Sequence, residues 1–321
     1  MILLIMAYVL QSLIQIGPYK TREVIDLEID SDSDKLSTTA KIRLAAKVQN
    51  KAKSLGGEIQ EGDLVSIQIG YEDYPLREEF TGYVERVDPD EDLIIHCLDE
   101  AYNLRKTDVE KEFKETTLPQ VVQWLASQGG LVIVGEVPVV NYEKFVIHPS
   151  TLEYAINTLR REYGFKCYLR GKNLFIGSVG TDMQGDVLYD FGKNVHRTNL
   201  KYERESSKKY EVEAIGITGK NKEIRATVGS KGGARRTLTF YNVKDEASLK
   251  KLAEEELKTL AFDGYSGHIT TWGIPYVTHG MVANVKDPEY LDREGRYLIE
   301  RVRTSYGNDG FSREVYLGRK I

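Results

Sequence analysis

The sequence predicts a mainly β chain in which two similar antiparallel β modules flank a small α+β domain. Three observations carry this. A pentapeptide near the N-terminal third, Tyr83-Val84-Glu85-Arg86-Val87, has a near copy in Leu298-Ile299-Glu300-Arg301-Val302, and the signals around the copies share one order. The apolar period is two at both ends of the chain but close to 3.6 in the middle third, so strands flank helices. Tyrosines outnumber phenylalanines 20 to 9, as expected of sheets with one wet face, where a ring packs while its hydroxyl stays solvated.

The N-terminal module reads as a series of short strands. Residues 1–10 are apolar, with no Lys or Arg ahead of the run and no small-x-small site after it, so a first strand is expected rather than a secretory signal. Ten residues are also too few to span a bilayer. Translation could begin at Met1 or Met6. Ile25, Leu27 and Ile29 alternate with Asp26, Glu28 and Asp30; a turn follows at residues 31–34. Ala40, Ile42, Leu44 and Ala46 then alternate with Lys41, Arg43 and Lys47, so one strand shows acid and its neighbour base. Residues 48–61 read as a loop, and Val65, Ile67 and Ile69 as the next strand. Gly82 leads into the pentapeptide, an acidic turn at 88–92 follows, and Leu93 to Leu98 close the module as a small antiparallel barrel or sandwich over residues 1–107.

Residues 108–183 change character. Thr117 and Gln120 fit a capping box with Pro119 in the first turn, Leu118, Val121, Val122 and Leu125 lie at helical spacing, and Gly129-Gly130 ends the helix. Short strands are expected at 131–134 and 145–147. Ser150 and Glu153 suggest a second capping box ahead of Leu152, Ala155, Ile156 and Leu159, and Gly164 suits a left-handed cap. A hairpin then carries Phe165, Cys167 and Leu169 inward, turns at 170–173, and returns through Leu174 and Ile176. Strand patterns resume over 184–321: Val187 to Tyr189, 200–203 and 210–217. Residues 219–235 read as a strand and loop, followed by Leu238 and Phe240. One helix is expected at about 245–261, with Asp245 as N-cap and Leu249, Leu252, Ala253, Leu257 and Leu260 as its stripe. Gly264 to His268 begin another strand. Gly280-Met281-Val282, Gly295, the second pentapeptide and a turn at 306–310 repeat the earlier order of signals, which points to an internal duplication.

Signals for chemistry are weak. The net charge of −5 gives no sequence-wide basic field for nucleic acid. Cys97 and Cys167 sit in strand-like runs and read as buried thiols. His96 and Cys97 are strand neighbours that point to opposite faces. His268 and His279, with Asp263 and Asp287, lack the close spacing of a metal site. Residues 229–233 (Gly-Ser-Lys-Gly-Gly) lack the rest of a phosphate-binding loop. Lys208-Lys209 and Arg235-Arg236 lack the aromatic interleaving of a nucleic-acid groove, and no two acids stand out as a glycosidase pair. The expectation is no catalytic residue, no cofactor and no metal.

The chain resembles the baseplate hub proteins of contractile phage tails, the group that includes the late control gene D proteins and the Mu-type tail hub protein. The hub part of type VI secretion spikes is similar in fold. The residues that carry the resemblance are 62–71 (Gly-Asp-Leu-Val-Ser-Ile-Gln-Ile-Gly-Tyr), 80–84, 162–165, 262–267, 295–300 and 310–313. They span nearly the whole chain, but they are structural glycines and strand patterns. The stretch 117–176 also resembles the small α+β domain of secretin N-termini, read as a reused spacer. The resemblance implies two tube-like β-barrels per chain and a homotrimer whose six modules form a ring. Such a ring meets a sixfold tail tube above and a threefold spike below, and its lumen passes DNA or cargo without specific binding. It implies a virion baseplate component, assembled in the bacterial host cytoplasm, with no membrane anchor. A chain ending at Ile321 would recruit a separate spike. The edges expected to make ring contacts are Gly82, Tyr83 and Val84, and Gly295, Tyr297 and Ile299. The rival readings are a tail-associated cell-wall hydrolase and a secretin-like envelope assembly factor.

Overall fold

The computed structural model describes residues 9–45, 47–48, 51–52, 59–89, 91–163, 166–177, 185–217, 222–243 and 245–321. The N-terminal region holds β1 (Leu10–Ile16), β2 (Tyr19–Thr21), β3 (Asp26–Asp32), β4 (Thr39–Ala45), the two-residue strands β5 (Lys47–Val48) and β6 (Lys51–Ala52), β7 (Leu64–Tyr71), β8 (Arg77–Pro89), β9 (Asp92–Leu98) and helix α1 (Ala101–Leu104). The middle region holds β10 (Asp108–Thr117), α2 (Leu118–Gln128), β11 (Val132–Val134), β12 (Asn141–Thr151), α3 (Leu152–Tyr163), β13 (Lys166–Arg170) and β14 (Asn173–Gly177). The C-terminal region holds β15 (Asp186–Asp190), β16 (Arg197–Glu203), β17 (Tyr210–Ile217), β18 (Glu223–Gly229), β19 (Ala234–Tyr241), α4 (Glu246–Leu260), β20 (Gly264–Trp272), β21 (Val282–Lys286), β22 (Gly295–Gly307) and β23 (Gly310–Lys320). The protein is mainly β, with a minor α+β part.

Both ends of the chain join one 13-stranded sheet. Within it the N-terminal module runs β3-β4-β9-β8-β7-β1, and the C-terminal module runs β16-β20-β23-β22-β21-β15. Strand for strand these are the same order, with the pentapeptides on β8 and β22. The match extends to defects. The β8–β9 ladder shifts register between Val84 and Arg86, and the β22–β23 ladder between Ile299 and Arg301, so each copy bulges at its glutamate, Glu85 or Glu300. On the other side, the Gly62 N–H donates to Val84 O (2.8 Å) and the Val84 N–H to Asp63 O (2.9 Å). The Gly280 N–H donates to Ile299 O (2.8 Å) and the Ile299 N–H to Met281 O (2.9 Å). Both glycines sit at positive φ, +90° and +80°, which a side chain would oppose.

The modules differ at their margins. β1 pairs antiparallel with β7, whereas β15 pairs parallel with β21, the exception to an otherwise antiparallel sheet. Between β3 and β4 lies a short connection, residues 33–38, but between β16 and β20 lies the unit β17–β19 with α4. The two expected barrels are also joined. The second half of β22 pairs with β3, from Arg301↔Asp32 to Gly307↔Asp26, so the ladder runs through both modules from β16 to β2. Each half still encloses its own core. Ile14, Ile42, Ile67 and Ile95 are buried in the first, with no helix over them among the described residues. Tyr297, Ile299, Val302 and Val315 centre the second.

A third core fills the α+β part. It gathers the inward faces of α2 and α3 with Cys167, Leu169, Leu174 and Ile176, and with Val212, Ala214, Phe240, Leu249 and Leu252. The helix that the sequence placed inside the second barrel thus packs its stripe, with β17–β19, onto the middle region. Caps fall as expected at Thr117, where Gln120 closes a capping box, and at Asp245, which accepts the Ser248 N–H at 2.7 Å. The cap of α3 is one residue later than expected: Thr151 Oγ1 accepts the Tyr154 N–H (3.3 Å), while Ser150 Oγ donates to His148 O. β3 runs through Asp32, into the expected turn, because its partner β22 is long enough to hold it. The expected first strand over 1–10 and the cap at Gly164 lie outside the described residues, apart from 9 and 10.

Candidate functional site

For a chain built this way the informative places are the joints between modules and the edges left over. At the main joint, charged pairs cross from β22 to β3. Arg301 grips Asp30 with two bonds, Nε to Oδ1 at 2.7 Å and Nη2 to Oδ2 at 2.8 Å, and Arg303 Nε lies 3.2 Å from Glu28. Burial opposes ionisation of Asp30, yet its bonds to Arg301 and Lys35 hold the carboxyl below the usual carboxylate range. The expected acid-against-base pairing of β3 and β4 is present: Arg43 Nη1 lies 3.2 Å from Asp26, and Glu28 stands opposite Lys41.

A second clamp joins the tip of the β22–β23 hairpin to the first module. Tyr306 and Phe311 insert into the N-terminal core, and the Tyr71 hydroxyl donates to Phe311 O at 3.2 Å. Beside them Arg313, 1% exposed, donates from Nη1 and Nη2 to Glu79 on β8 at 2.9 and 2.7 Å, and from Nε to Gly273 O at 2.8 Å. Such bidentate geometry satisfies both buried charges at once. No sequence motif assigns a role to this pair. The signal available was an arginine between Phe311 and Val315, on a strand face that is otherwise apolar.

The two bulges aim their glutamates at the α+β part. Glu85 pairs with Arg105, which also holds Glu153 of α3 at 2.7 Å. Glu300 lies 3.9 Å from Lys166 on β13, and burial raises its pKa. Where the modules meet β13, a cleft of about 330 Å³ is lined by Asp99, Arg170, Tyr276, Thr278 and His279 among others. Two of its ionisable groups, Asp99 and His279, are deeply buried. The Asp99 carboxylate accepts the N–H of Thr38 (2.7 Å) and of Ala101 (3.1 Å), while burial pushes its pKa up to about 7. His279, 2% exposed and set edge-on to the Tyr168 ring, is pushed down to about 3 by burial and stays neutral at pH 7.

The other residues weighed for chemistry are dispersed. Burial pushes Cys97 and Cys167 up to about 12, far from a thiolate at neutral pH. His96 pairs with Asp88 (3.0 Å), His268 lies 4.0 Å from Glu314, and Asp263 and Asp287 accept backbone N–H groups. Arg235 and Arg236 bond to Glu213 and Glu256, and Lys208 lies 3.6 Å from Glu203. Among the described residues no three His, Cys, Asp or Glu are grouped to hold a metal ion. No helix of the described residues is long and apolar enough to cross a membrane.

The six residues expected at free edges stand elsewhere. Around Gly82 and Tyr83 β8 lies between β7 and β9, and around Gly295 to Leu298 β22 lies between β21 and β23. Val84, Tyr297 and Ile299 are 0% exposed, Gly82 is buried against Leu98 O, and Tyr83 and Gly295 are half-buried. Alternation marks a strand but does not carry strand order. The strands at the ends of the path are β2 and β16.

This strand order, with its middle α+β part, recurs in solved structures. A tail protein from Neisseria meningitidis matches 97% of this chain and 96% of its own at TM-score 0.67 and 16% identity. The 43 kDa tail protein of prophage MuSo2 from Shewanella oneidensis matches 96% and 98% at 0.66 and 18%. The chain has the fold of phage tail proteins. A type VI secretion component from Escherichia coli, described as structurally similar to bacteriophage T4 tail proteins, shares the tail-protein fold over 96% of this chain and 76% of its own, at 0.60 and 10%. No protein-family model matches the sequence, and no curated protein does.

Proposed function

We propose that this protein is a structural, non-enzymatic baseplate hub of a contractile phage tail or a related injection machine. In this reading three copies form a ring of six like modules around a channel for DNA or cargo. The ring joins a sixfold tail tube to a threefold spike in the virion baseplate, after assembly in the host cytoplasm. The observation that carries it is the matched pair of modules, alike in strand order and in the position of the bulge. One chain presenting the same module twice lets a threefold assembly offer six near-equivalent contacts. The division into modules at 1–107 and 184–321 about a middle domain at 108–183 belongs to the same proposal, with residues 210–260 docked on that domain. Light scattering on the purified chain tests it: the expected mass is that of three 36.5 kDa chains. A chain that stays monomeric at every concentration and binds neither tube nor spike protein would overturn it.

A further inference from the structure

We propose that neighbouring copies join by β16 of one copy adding, antiparallel, to the open edge of residues 85–89 on β8 of the next. This names the contact within the trimeric ring proposed above and rests on that reading. The template is inside the chain. β22 and β8 are counterparts, as are β3 and β16, and β22 is joined to β3 over residues 301–307. The β7–β8 ladder ends at Tyr83, and Val84 bonds to Gly62 and Asp63. Beyond that point the same edge of β8 has no strand against it among the described residues. β16 likewise pairs with β20 alone. Open edges of this kind are templates for pairing with another chain.

The shared bulges fix the register. Through them Arg86 corresponds to Arg301, Val87 to Val302 and Asp88 to Arg303. Through the β3–β4 and β16–β20 ladders, Glu203 corresponds to Asp32, Tyr202 to Ser31 and Lys201 to Asp30. Transferring the in-chain joint therefore sets Arg86 against Glu203, Val87 against Tyr202 and Asp88 against Lys201. Both facing pairs are of opposite charge. At the second pair the signs are exchanged relative to Arg303 and Asp30, and attraction is kept. A slip of two residues would set Arg86 against Lys201, so the charges also select the register.

Exposure agrees with an uncovered joint. Leu27, Ile29 and Val302 are buried where the joint is made within the chain. Their counterparts Thr198, Leu200 and Val87 are exposed or half-buried. In the single chain the four charges pair along their own strands: Arg86 with Asp88 at 2.8 Å, with His96 nearby, and Lys201 with Glu203 at 2.9 Å, with Lys208 nearby. Each strand thus brings a balanced pair, and facing them costs no net charge burial.

The test uses the full chain with Asp88→Cys and Lys201→Cys together, oxidised mildly and run without reductant on a denaturing gel. Facing residues of a ladder lie within disulfide reach. Covalent dimers and trimers are expected from the double variant and none from either single variant. In parallel, K201E or D88K alone should shift trimer dissociation towards monomer by about tenfold or more, and the two together should restore it. A wild-type chain that is trimeric, with no cross-linking and an unchanged mass for K201E, overturns this joint and leaves the trimer standing. A wild-type chain that is monomeric and never cross-links overturns the trimer itself.

Discussion

Arg313 and Glu79 show how one pair can hold two modules together. Their side chains are 1% and 4% exposed, and the guanidinium also donates to Thr304 Oγ1 at 2.7 Å. Removing one buried partner leaves the other charge unpaired, which costs about 3–5 kcal/mol. Glu79→Ala is therefore expected to lower unfolding stability by that amount in urea titrations. Glu79→Leu combined with Arg313→Met should lose less than Glu79→Ala alone, because no lone charge remains. A loss below about 1 kcal/mol for Glu79→Ala would mean the pair does not clamp the modules. The partners lie 234 positions apart, and no local spacing announces such a contact. What could be read was the misfit of an arginine on an apolar strand face.

The strands tell a similar story at greater length. The repeated pentapeptide marked β8 and β22 correctly as counterparts, since a shared local sequence was placed in a shared ladder. The bulge at its glutamate was not readable, because a bulge is a property of two strands and only one was in view. β10 escaped because its residues, Asp108–Thr117, are nearly all polar. It exists through its ladder with β12 and through Phe113, which packs edge-on to Trp124 at 5.8 Å. Nor was it readable that β8 and β22 are flanked on both sides at Gly82 and Gly295, because strand order is set by long-range pairing. The end strand β16 is held to the sheet where Leu200 pairs with Gly267. A Cβ at Gly267 would lie 2.1 Å from Asn199 O, with φ at +110°. Gly267→Ala should destabilise the protein by about 2 kcal/mol or more and release amide-exchange protection over residues 197–203 first. Retained protection there would show that the close approach can relax.

For the whole molecule, the two modules, the joint between β22 and β3 and the α+β part resting on both bulges make one continuous scaffold. Its repeated unit was visible in the sequence through glycines, turns and the pentapeptide. The merging of the two modules into one sheet was not, since the residues of β3 that meet β22 alternate as those of any half-buried strand would. Nor was the docking of β17–β19 and α4 on the middle core, because an apolar stripe says that a helix packs and not where. Negative-stain electron microscopy of the purified protein at high concentration addresses the central reading most directly. Top views are expected to show rings of six lobes, alternating in weight with threefold symmetry. Isolated two-lobed particles, or rings whose lobes do not number six, would contradict it.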